Sequence, residues 1–269
     1  MEDALGYAGK HAVVTGAASG MGAAAASALV ELGANVTALD VKPVELAGAT
    51  SLQIDLKDRS SIDAVASQIN GPVDAVFSVA GLPGPPFSDL DTVTVNFIGA
   101  RHLIESLVPK MQSGSAVVCV ASNAGLGWQQ QLETLLPFVT LPDFDDQLKW
   151  CQENPTSIEG GLGYPFSKQA LNAWVAWRAA ALIKDGIRLN NTNPGPTQTP
   201  MMPAFEASAG KETIDKFVGP SGRRSSPEEQ AWPMIFLNSP RSSYVTGEAL
   251  HVDAGFLGAM VTGQIDLGM

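Results

Sequence analysis

Hydrophobic and polar positions along this chain alternate in blocks that are typical of an α/β protein. Short apolar runs bounded by Gly, Pro, Asn or Asp predict strands buried in a parallel sheet. Longer blocks with an apolar residue every three or four positions predict the helices between them. The predicted strands cover residues 11–15, 36–39, 51–54, 73–79, 115–120, 187–190 and 249–253. We therefore expect a single doubly wound parallel sheet of about seven strands, flanked by helices.

The predicted helices cover residues 21–32, 59–69, 92–111, 166–184 and 227–237. Only a short segment around Pro43 joins the second and third strands, so we expect no crossover helix between them. Asn96 lies inside the third predicted helix, where an Asn side chain competes with the backbone for hydrogen bonds. It is either a harmless exposed residue or a polar group with a task, such as holding a water molecule.

Residues 126–161 depart from the simple alternation of strands and helices. Apolar residues from Trp128 to Trp150 recur at roughly helical spacing, and Pro137 and Pro142 interrupt them. We interpret this stretch as a helical insertion of two short helices. It is a lid over a substrate pocket, with Trp128 in the lining, or a contact between subunits, or both.

A second irregular segment, residues 200–218, predicts a mobile flap made of loop and helix. Its apolar residues Met201, Met202 and Phe205 are candidates for contact with a substrate. The flap follows a rigid turn rich in Pro and Gly at the end of the sixth predicted strand, so we expect it to lie beside any site at that edge of the sheet.

A glycine-rich turn separates the first predicted strand from the first predicted helix. It reads Thr15-Gly16-x-x-x-Gly20-x-Gly22. Glycines permit a tight turn and let the backbone approach a pyrophosphate, whose charge then lies at the helix N-terminus. Strand, turn and helix together favour a dinucleotide site over a loop that merely turns a corner. The predicted contacts are Gly16, Ser19, Gly20, Met21 and Gly22.

Further candidates for the dinucleotide site lie where other predicted strands end. Asp40 ends the second strand, where a carboxylate can hydrogen-bond the adenosine ribose and repel a 2′-phosphate. It indicates NAD over NADP, although Lys42 lies nearby; a surface aspartate that caps a loop is the alternative. The other predicted nucleotide contacts follow the third, fourth and sixth strands and are Asp55, Leu56, Ala80, Gly81, Pro194, Gly195, Thr197 and Thr199.

Tyr164 and Lys168 are four residues apart at the start of a predicted helix, so they lie on one face, one turn apart. A phenol has a reference pKa near ~10 and is a poor base at neutral pH, but a neighbouring ammonium favours its charged form. Ser122 ends the fifth predicted strand, on the edge where doubly wound sheets bind ligands. With a dinucleotide site upstream, we predict a proton-transfer centre rather than a solvated helix face.

Composition and charge argue against several kinds of partner and site. The chain has 269 residues, with 16 Lys and Arg against 27 Asp and Glu, and a net charge of −11. This acidity argues against nucleic acid or an anionic membrane surface as a partner. The N-terminus lacks a signal-like segment, and Cys119 and Cys151 have neither metal-ligand nor redox-pair spacing, so we expect a cytoplasmic protein. His11, His102 and His251 are scattered, which predicts no metal site.

Taken together, these motifs resemble the short-chain dehydrogenase/reductase family over almost the whole chain. The matching positions, in order, are Thr15-Gly16-x-x-x-Gly20-x-Gly22, Asp55, Ala80-Gly81, Asn96, Ser122, Tyr164-x-x-x-Lys168, Pro194-Gly195 and Val252-Asp253. The resemblance implies a Rossmann-type fold in which residues 1–269 form one catalytic domain. It implies that Tyr164 is the general acid/base and that Ser122 hydrogen-bonds the substrate oxygen. It also implies that Lys168 holds the nicotinamide ribose and depresses the pKa of Tyr164, and that Asn96 anchors a relay water.

The chain departs from the family pattern at Ser78-Val79, which precede Ala80 where an Asn is usual, and at Ala254, where a Gly is usual. In its insertion and short second crossover it is similar to bacterial 3α-hydroxysteroid dehydrogenases/carbonyl reductases and to coniferyl-alcohol dehydrogenases. This similarity implies an NAD-dependent enzyme for a bulky hydrophobic alcohol or ketone, working as a homodimer or homotetramer. A non-catalytic NAD-binding regulator and a ketoacyl-type reductase are the alternatives. The substrate itself, the stereochemistry and the physiological direction are left open.

Overall fold

A computed structural model describes residues 3–265. Its strands are β1 (His11–Thr15), β2 (Asn35–Asp40), β3 (Ala49–Gln53), β4 (Val73–Ser78), β5 (Met111–Val120), β6 (Arg188–Pro194) and β7 (Ala249–Val252). All seven form one parallel sheet in the order β3-β2-β1-β4-β5-β6-β7. The predicted doubly wound sheet is confirmed. The strand order reverses between β1 and β4, which is where sheets of this type form a ligand crevice.

The α-helices of the described residues are α1 (Gly20–Glu31), α2 (Arg59–Gln68), α3 (Asp89–Val93), α4 (Ala100–Leu107), α5 (Leu132–Val139), α6 (Phe144–Glu153), α7 (Gly163–Leu182), α8 (Met202–Ala209), α9 (Lys211–Asp215), α10 (Pro227–Asn238) and α11 (Phe256–Val261). As predicted, the connection between β2 and β3 contains only turns and bends. Within the described part of the chain, no helix is both long and apolar enough to cross a membrane.

Two apolar layers cover the two faces of the sheet. Val13 and Val76 belong to the layer that α2, α4 and α7 cover. Ala12 and Phe77, one position along on the same strands, belong to the layer that α1 and α10 cover. Successive strand residues point to opposite faces, so continuous apolar runs are what a sheet buried on both faces requires.

The predicted helix at 92–111 is wrong in detail. A π-helical turn, Thr94–Gly99, separates α3 from α4, and Met111 already belongs to β5. The turn places Gly99 against the Leu56 carbonyl so closely that any Cβ would overlap it. It also carries Asn96. A widened turn within a helix is often found at a functional site, where it displaces one side chain from the regular spacing.

The insertion (residues 126–161) contains the two predicted short helices, α5 and α6. Phe138 of α5 is fully buried, with its ring centroid 5.1 Å from Phe97, 4.8 Å from Trp150 and 5.3 Å from Phe166. Aromatic rings at these separations attract one another beyond the area they bury. The insertion therefore extends the hydrophobic core on the α7 side of the sheet.

Candidate active site

A cavity of about 300 Å³ lies at the carboxyl edge of the sheet. The predicted site residues that line it are Met21, Gly81, Ser122, Tyr164, Lys168, Pro194, Gly195, Thr197, Thr199, Met201, Met202 and Phe205. Nine described residues that were not predicted as site residues also line it: Val79, Leu82, Val120, Ala121, Asn123, Ala124, Pro196, Ile214 and Phe217. Ile214 and Phe217 lie in the predicted flap at helical spacing, which is the signal that could have found them.

Trp128 does not join this site. It begins a short 3₁₀ turn, Trp128–Gln131, and packs against the hydrophobic core. In the described part of the chain, no residue of the insertion lines the cavity. The expectation that Trp128 lines a pocket is therefore wrong for this cavity, because the apolar side chains of the insertion are used for packing against α7 and its neighbours.

The glycine turn has the shape expected of a pyrophosphate site. Gly16 and Gly20 have φ of +72° and +58°, a conformation that side chains with a Cβ rarely adopt. Gly22 packs so tightly on the Gly16 carbonyl that a Cβ would overlap it. Ser19 precedes α1 with extended backbone, and its hydroxyl makes no capping hydrogen bond, so it is free to bind a ligand. The N-terminus of α1 thus presents backbone N–H groups beside the cavity.

Asp40 is bound to the glycine turn. Its Oδ2 accepts a hydrogen bond from Ala18 N at 3.0 Å, and its Oδ1 accepts one from Lys42 N at 3.0 Å. Asp55 accepts from Lys57 N at 2.8 Å in the loop before α2. Leu56, the next residue, is buried. These acidic side chains lie outside the cavity lining, on the side of β1 where β2 and β3 lie.

The β1 and β4 ends are held together by a buried hydroxyl. Thr15 Oγ1 accepts hydrogen bonds from Val79 N at 3.0 Å and Ala80 N at 3.1 Å. A Cβ on Gly16 would come within 2.9 Å of the Ala80 backbone, and one on Gly81 within 3.7 Å of Lys168 Nζ. Ala80 and Gly81 therefore form a close-packed wall between the glycine turn and the catalytic candidates.

Asn96 is buried, so the interpretation of a harmless exposed residue is wrong. Its Oδ1 accepts from Leu82 N at 2.6 Å, and its Nδ2 donates to Leu82 O at 3.0 Å and to Ser167 Oγ at 3.2 Å. The side chain thus fixes the loop after β4 to α7. Its buried polar atoms are satisfied by this arrangement.

Tyr164 and Lys168 face each other as their spacing predicts. α7 begins at Gly163, earlier than the predicted start, so Tyr164 lies in its first turn. Lys168 Nζ lies 5.6 Å from the centroid of the Tyr164 ring and donates to Val120 O at 2.8 Å. Ser122 lies across from them, with its Oγ accepting from Ala124 N at 3.1 Å. All three side chains line the same cavity.

Burial is the largest influence on the pKa values of Tyr164 and Lys168. It raises the pKa of the Tyr164 phenol, while interaction with the Ser122 hydroxyl lowers it. Burial also lowers the pKa of Lys168 to about 8. Burial therefore outweighs the interactions that lower the pKa of Tyr164, and the depression of that pKa by Lys168 stays a prediction. The same low-dielectric surroundings that disfavour the phenolate also disfavour the ammonium that would stabilise it.

Two family profiles match the chain: one described as short chain dehydrogenase matches residues 10–132, and one described as enoyl-(acyl carrier protein) reductase matches residues 156–257. The chain is 32% identical over 251 residues to the 3-alpha-hydroxysteroid dehydrogenase/carbonyl reductase of Comamonas testosteroni, spanning 90% of this chain and 95% of that protein. It is 29% identical over 253 residues to the coniferyl-alcohol dehydrogenase of Pseudomonas sp. strain HR199, spanning 94% of this chain and 98% of that protein.

The fold is similar to the crystal structure of a 3-alpha-hydroxysteroid dehydrogenase from Pseudomonas sp. B-0831 complexed with NADH. The TM-score is 0.78 at 27% identity, and the match covers 95% of this chain and 99% of that one. The resemblance drawn from the motifs is confirmed. With a relative 32% identical across nearly its whole length, this chain belongs to the short-chain dehydrogenase/reductase family and is an NAD(P)-dependent oxidoreductase.

Proposed function

We propose that the protein interconverts a bulky hydrophobic alcohol and its carbonyl compound with NAD. The observation that carries the proposal is the cavity itself, in which Ser122, Tyr164 and Lys168 meet beside the loop 194–199 under a largely apolar flap. A site with few polar groups in an apolar lining binds an apolar molecule and orients its one polar atom. The relatives named for a hydroxysteroid and for coniferyl alcohol support a fused-ring or aromatic substrate.

The ionisation of Tyr164 suits proton transfer to and from the substrate oxygen. Because burial raises its pKa, the phenol is protonated at neutral pH and is ready to donate to a carbonyl oxygen. In the oxidation direction Tyr164 must first pass that proton to the relay water, and Lys168, whose pKa is about 8, lies one helical turn away to stabilise the phenolate. A nicotinamide bound in the cavity supplies or accepts the hydride.

Ser122 and Asn96 take supporting roles in this proposal. Since the Ser122 hydroxyl accepts from Ala124 N, its own proton is left to donate to the substrate oxygen. Asn96 holds the loop at Leu82, and we assign to it the relay water that the family resemblance implies. We further propose a cytoplasmic homodimer or homotetramer, which light scattering of the purified protein would test.

The glycine turn and Asp40 support NAD as the nucleotide. The tight packing of Gly16 on Ala80 and of Gly22 on Gly16 supports a role for this turn in holding a pyrophosphate. Asp40 places a carboxylate within 3.0 Å of the backbone of that turn, where a 2′-phosphate would be repelled. The similar structure of the Pseudomonas enzyme contains NADH.

The test measures NAD reduction by the purified protein with a 3α-hydroxysteroid and with coniferyl alcohol. A second assay measures NADH oxidation with a ketoacyl thioester. We expect turnover of one of the two alcohols. Tyr164→Phe should lower kcat by roughly 10²–10⁴-fold, the usual contribution of a general acid/base, while leaving NAD binding within about twofold. Substantial activity in this variant would overturn the assignment of Tyr164.

The alternatives give distinct outcomes in these two assays. Turnover of the thioester alone would show a ketoacyl-type reductase. Binding of NAD with no turnover of any substrate would favour a non-catalytic regulator, although such a protein has little use for Ser122, Tyr164 and Lys168 in one cavity.

A further inference from the structure

Few apolar side chains of the flap (residues 200–218) are buried. Its helices α8 and α9 have eight and five residues and are separated by Gly210, whose φ is +83°. Of residues 201–217, only Met202 is buried. Helices this short have little stability of their own and depend on tertiary contacts. The position of the flap is therefore set by a small number of specific interactions.

Arg224 supplies two of these interactions. Its Nη2 lies 2.7 Å from Glu206 Oε1 on α8 and 2.7 Å from Asp215 Oδ1 on α9. Only 15% of the Arg224 side chain is exposed, against 30% for Glu206 and 35% for Asp215. Partly buried charges are screened less by water and salt than exposed ones, so this bridge outweighs an ordinary surface pair.

Each of the two carboxylates directly follows a residue of the cavity wall. Glu206 follows Phe205, whose ring packs nearly edge-on against Tyr164 at a centroid distance of 5.0 Å. Asp215 follows Ile214, which lines the cavity from α9. One guanidinium that binds both carboxylates thus keeps both apolar side chains over the cavity.

The residue after Arg224 is fixed to the loop 194–199, which also lines the cavity. Ser225 N donates to Pro196 O at 3.1 Å, and Ser225 O accepts from Gln198 N at 2.9 Å. Ser225 Oγ also lies 2.9 Å from Thr197 Oγ1, in hydrogen-bond contact. Arg224 therefore joins the flap to the 194–199 loop.

We propose that Arg224 is a positioning residue: its two ion pairs hold the flap, and with it Phe205 and Ile214, in the position that packs against a bound hydrophobic substrate. The proposal rests on the proposed function, since it takes the cavity as the substrate site. Arg224 acts through Phe205 and Ile214 and does not line the cavity in the described structure. Its loss should weaken substrate binding far more than the chemical step.

The test compares Arg224→Gln with Arg223→Gln. Arg223 is a matched control because it forms a similar ion pair, 2.6 Å from Glu229 Oε1, but with α10 instead of the flap. Hydrogen exchange of the amides of residues 202–216 should be faster by ~5-fold or more in Arg224→Gln, and nearly unchanged in Arg223→Gln. KM for the alcohol should rise by a similar factor in Arg224→Gln, with kcat within about twofold.

Two further measurements separate flap positioning from general damage. With an uncharged alcohol, KM of the unmodified enzyme should rise with ionic strength, and this dependence should disappear in Arg224→Gln. Arg224→Lys keeps the charge but loses the guanidinium, so its KM and its flap exchange rate should lie between those of the unmodified enzyme and of Arg224→Gln. Unchanged flap exchange in Arg224→Gln, or an equal effect of Arg223→Gln, would overturn the proposal. The exchange measurement needs no substrate, so it decides the flap question even if both alcohols prove inert.

Discussion

We propose that the Asp40 side chain favours NAD over NADP. Its carboxylate accepts hydrogen bonds from Ala18 N and Lys42 N, so it is held in place next to the glycine turn. A negative charge there attracts ribose hydroxyls as donors and repels a phosphate ester in the same position. Lys42 is the nearest cation in sequence, and it contacts Asp40 through its backbone N–H.

Asp40→Ala should relax this preference. We expect the ratio of kcat/KM with NAD to kcat/KM with NADP to fall by roughly 10- to 100-fold, which corresponds to about 1–3 kcal/mol for one charge-assisted hydrogen bond and the lost repulsion. Asp40→Asn is the control, because it keeps an acceptor for Ala18 N but removes the charge. An unchanged ratio in both variants would remove Asp40 from this role.

At the residue scale, spacing predicted which side chains meet but not how they ionise. The separation of four residues placed Tyr164 and Lys168 on one face of α7, and the end of β5 placed Ser122 opposite them. The pKa values depend on burial, which other segments supply. Sequence spacing contains no measure of that burial, so it missed the raised pKa of Tyr164.

At the scale of elements, the insertion acts as part of the core. Phe138→Ala removes a fully buried ring that packs against three other aromatic rings. We expect the free energy of unfolding to fall by about 3–5 kcal/mol, the usual range for a buried Phe, in a denaturant titration. Leu136→Ala on the same helix is the control: its side chain is 38% exposed, and we expect a loss of under ~1 kcal/mol. A loss of similar size in both variants would mean that α5 is not joined to the main core.

Helices and strands were predictable where the residues that determine them lie within the same segment. Strands β1 and β4 are apolar runs bounded by turn residues, and Ser226 and Glu229 form the capping box that begins α10. The π turn was not predictable, because the residues that contact it lie elsewhere in the chain. Asn96 makes two hydrogen bonds to Leu82, and Gly99 approaches the Leu56 carbonyl.

For the whole molecule, the order of motifs predicted the fold and the sheet edge that carries the site. The cavity and the ion pairs of its flap could not be predicted from the sequence, since Arg224 meets Glu206 and Asp215 only after the chain has folded. The role of the insertion was also undecided from composition alone. An apolar helix with a Trp at one end is compatible with either a lid or core packing.

Burying Lys168 in its charged form should lower the free energy of unfolding of the protein. The residue is 5% exposed, and burial lowers its pKa to about 8 from 10.5. Between these pH values the unfolded chain binds more protons than the folded one, so stability rises with pH across that window. Below pH ~8 the lysine is charged in both states and the full cost applies. We attribute this cost to the role that we propose for the ammonium beside Tyr164.

Lys168→Met should therefore raise the free energy of unfolding at pH 7 by about 1–2 kcal/mol while abolishing turnover, since the lost bond to Val120 O offsets part of the gain. The gain should shrink as the pH approaches ~10, where the buried lysine is already neutral in the folded protein. Lys184→Met, at an exposed position after α7, should change stability by less than ~0.5 kcal/mol at either pH. Denaturant titrations at pH 7 and pH 9.5 measure both effects. A destabilised Lys168→Met protein at pH 7 would show that the hydrogen bond to Val120 outweighs the burial of charge, and that the site is held together by the residue it needs for catalysis.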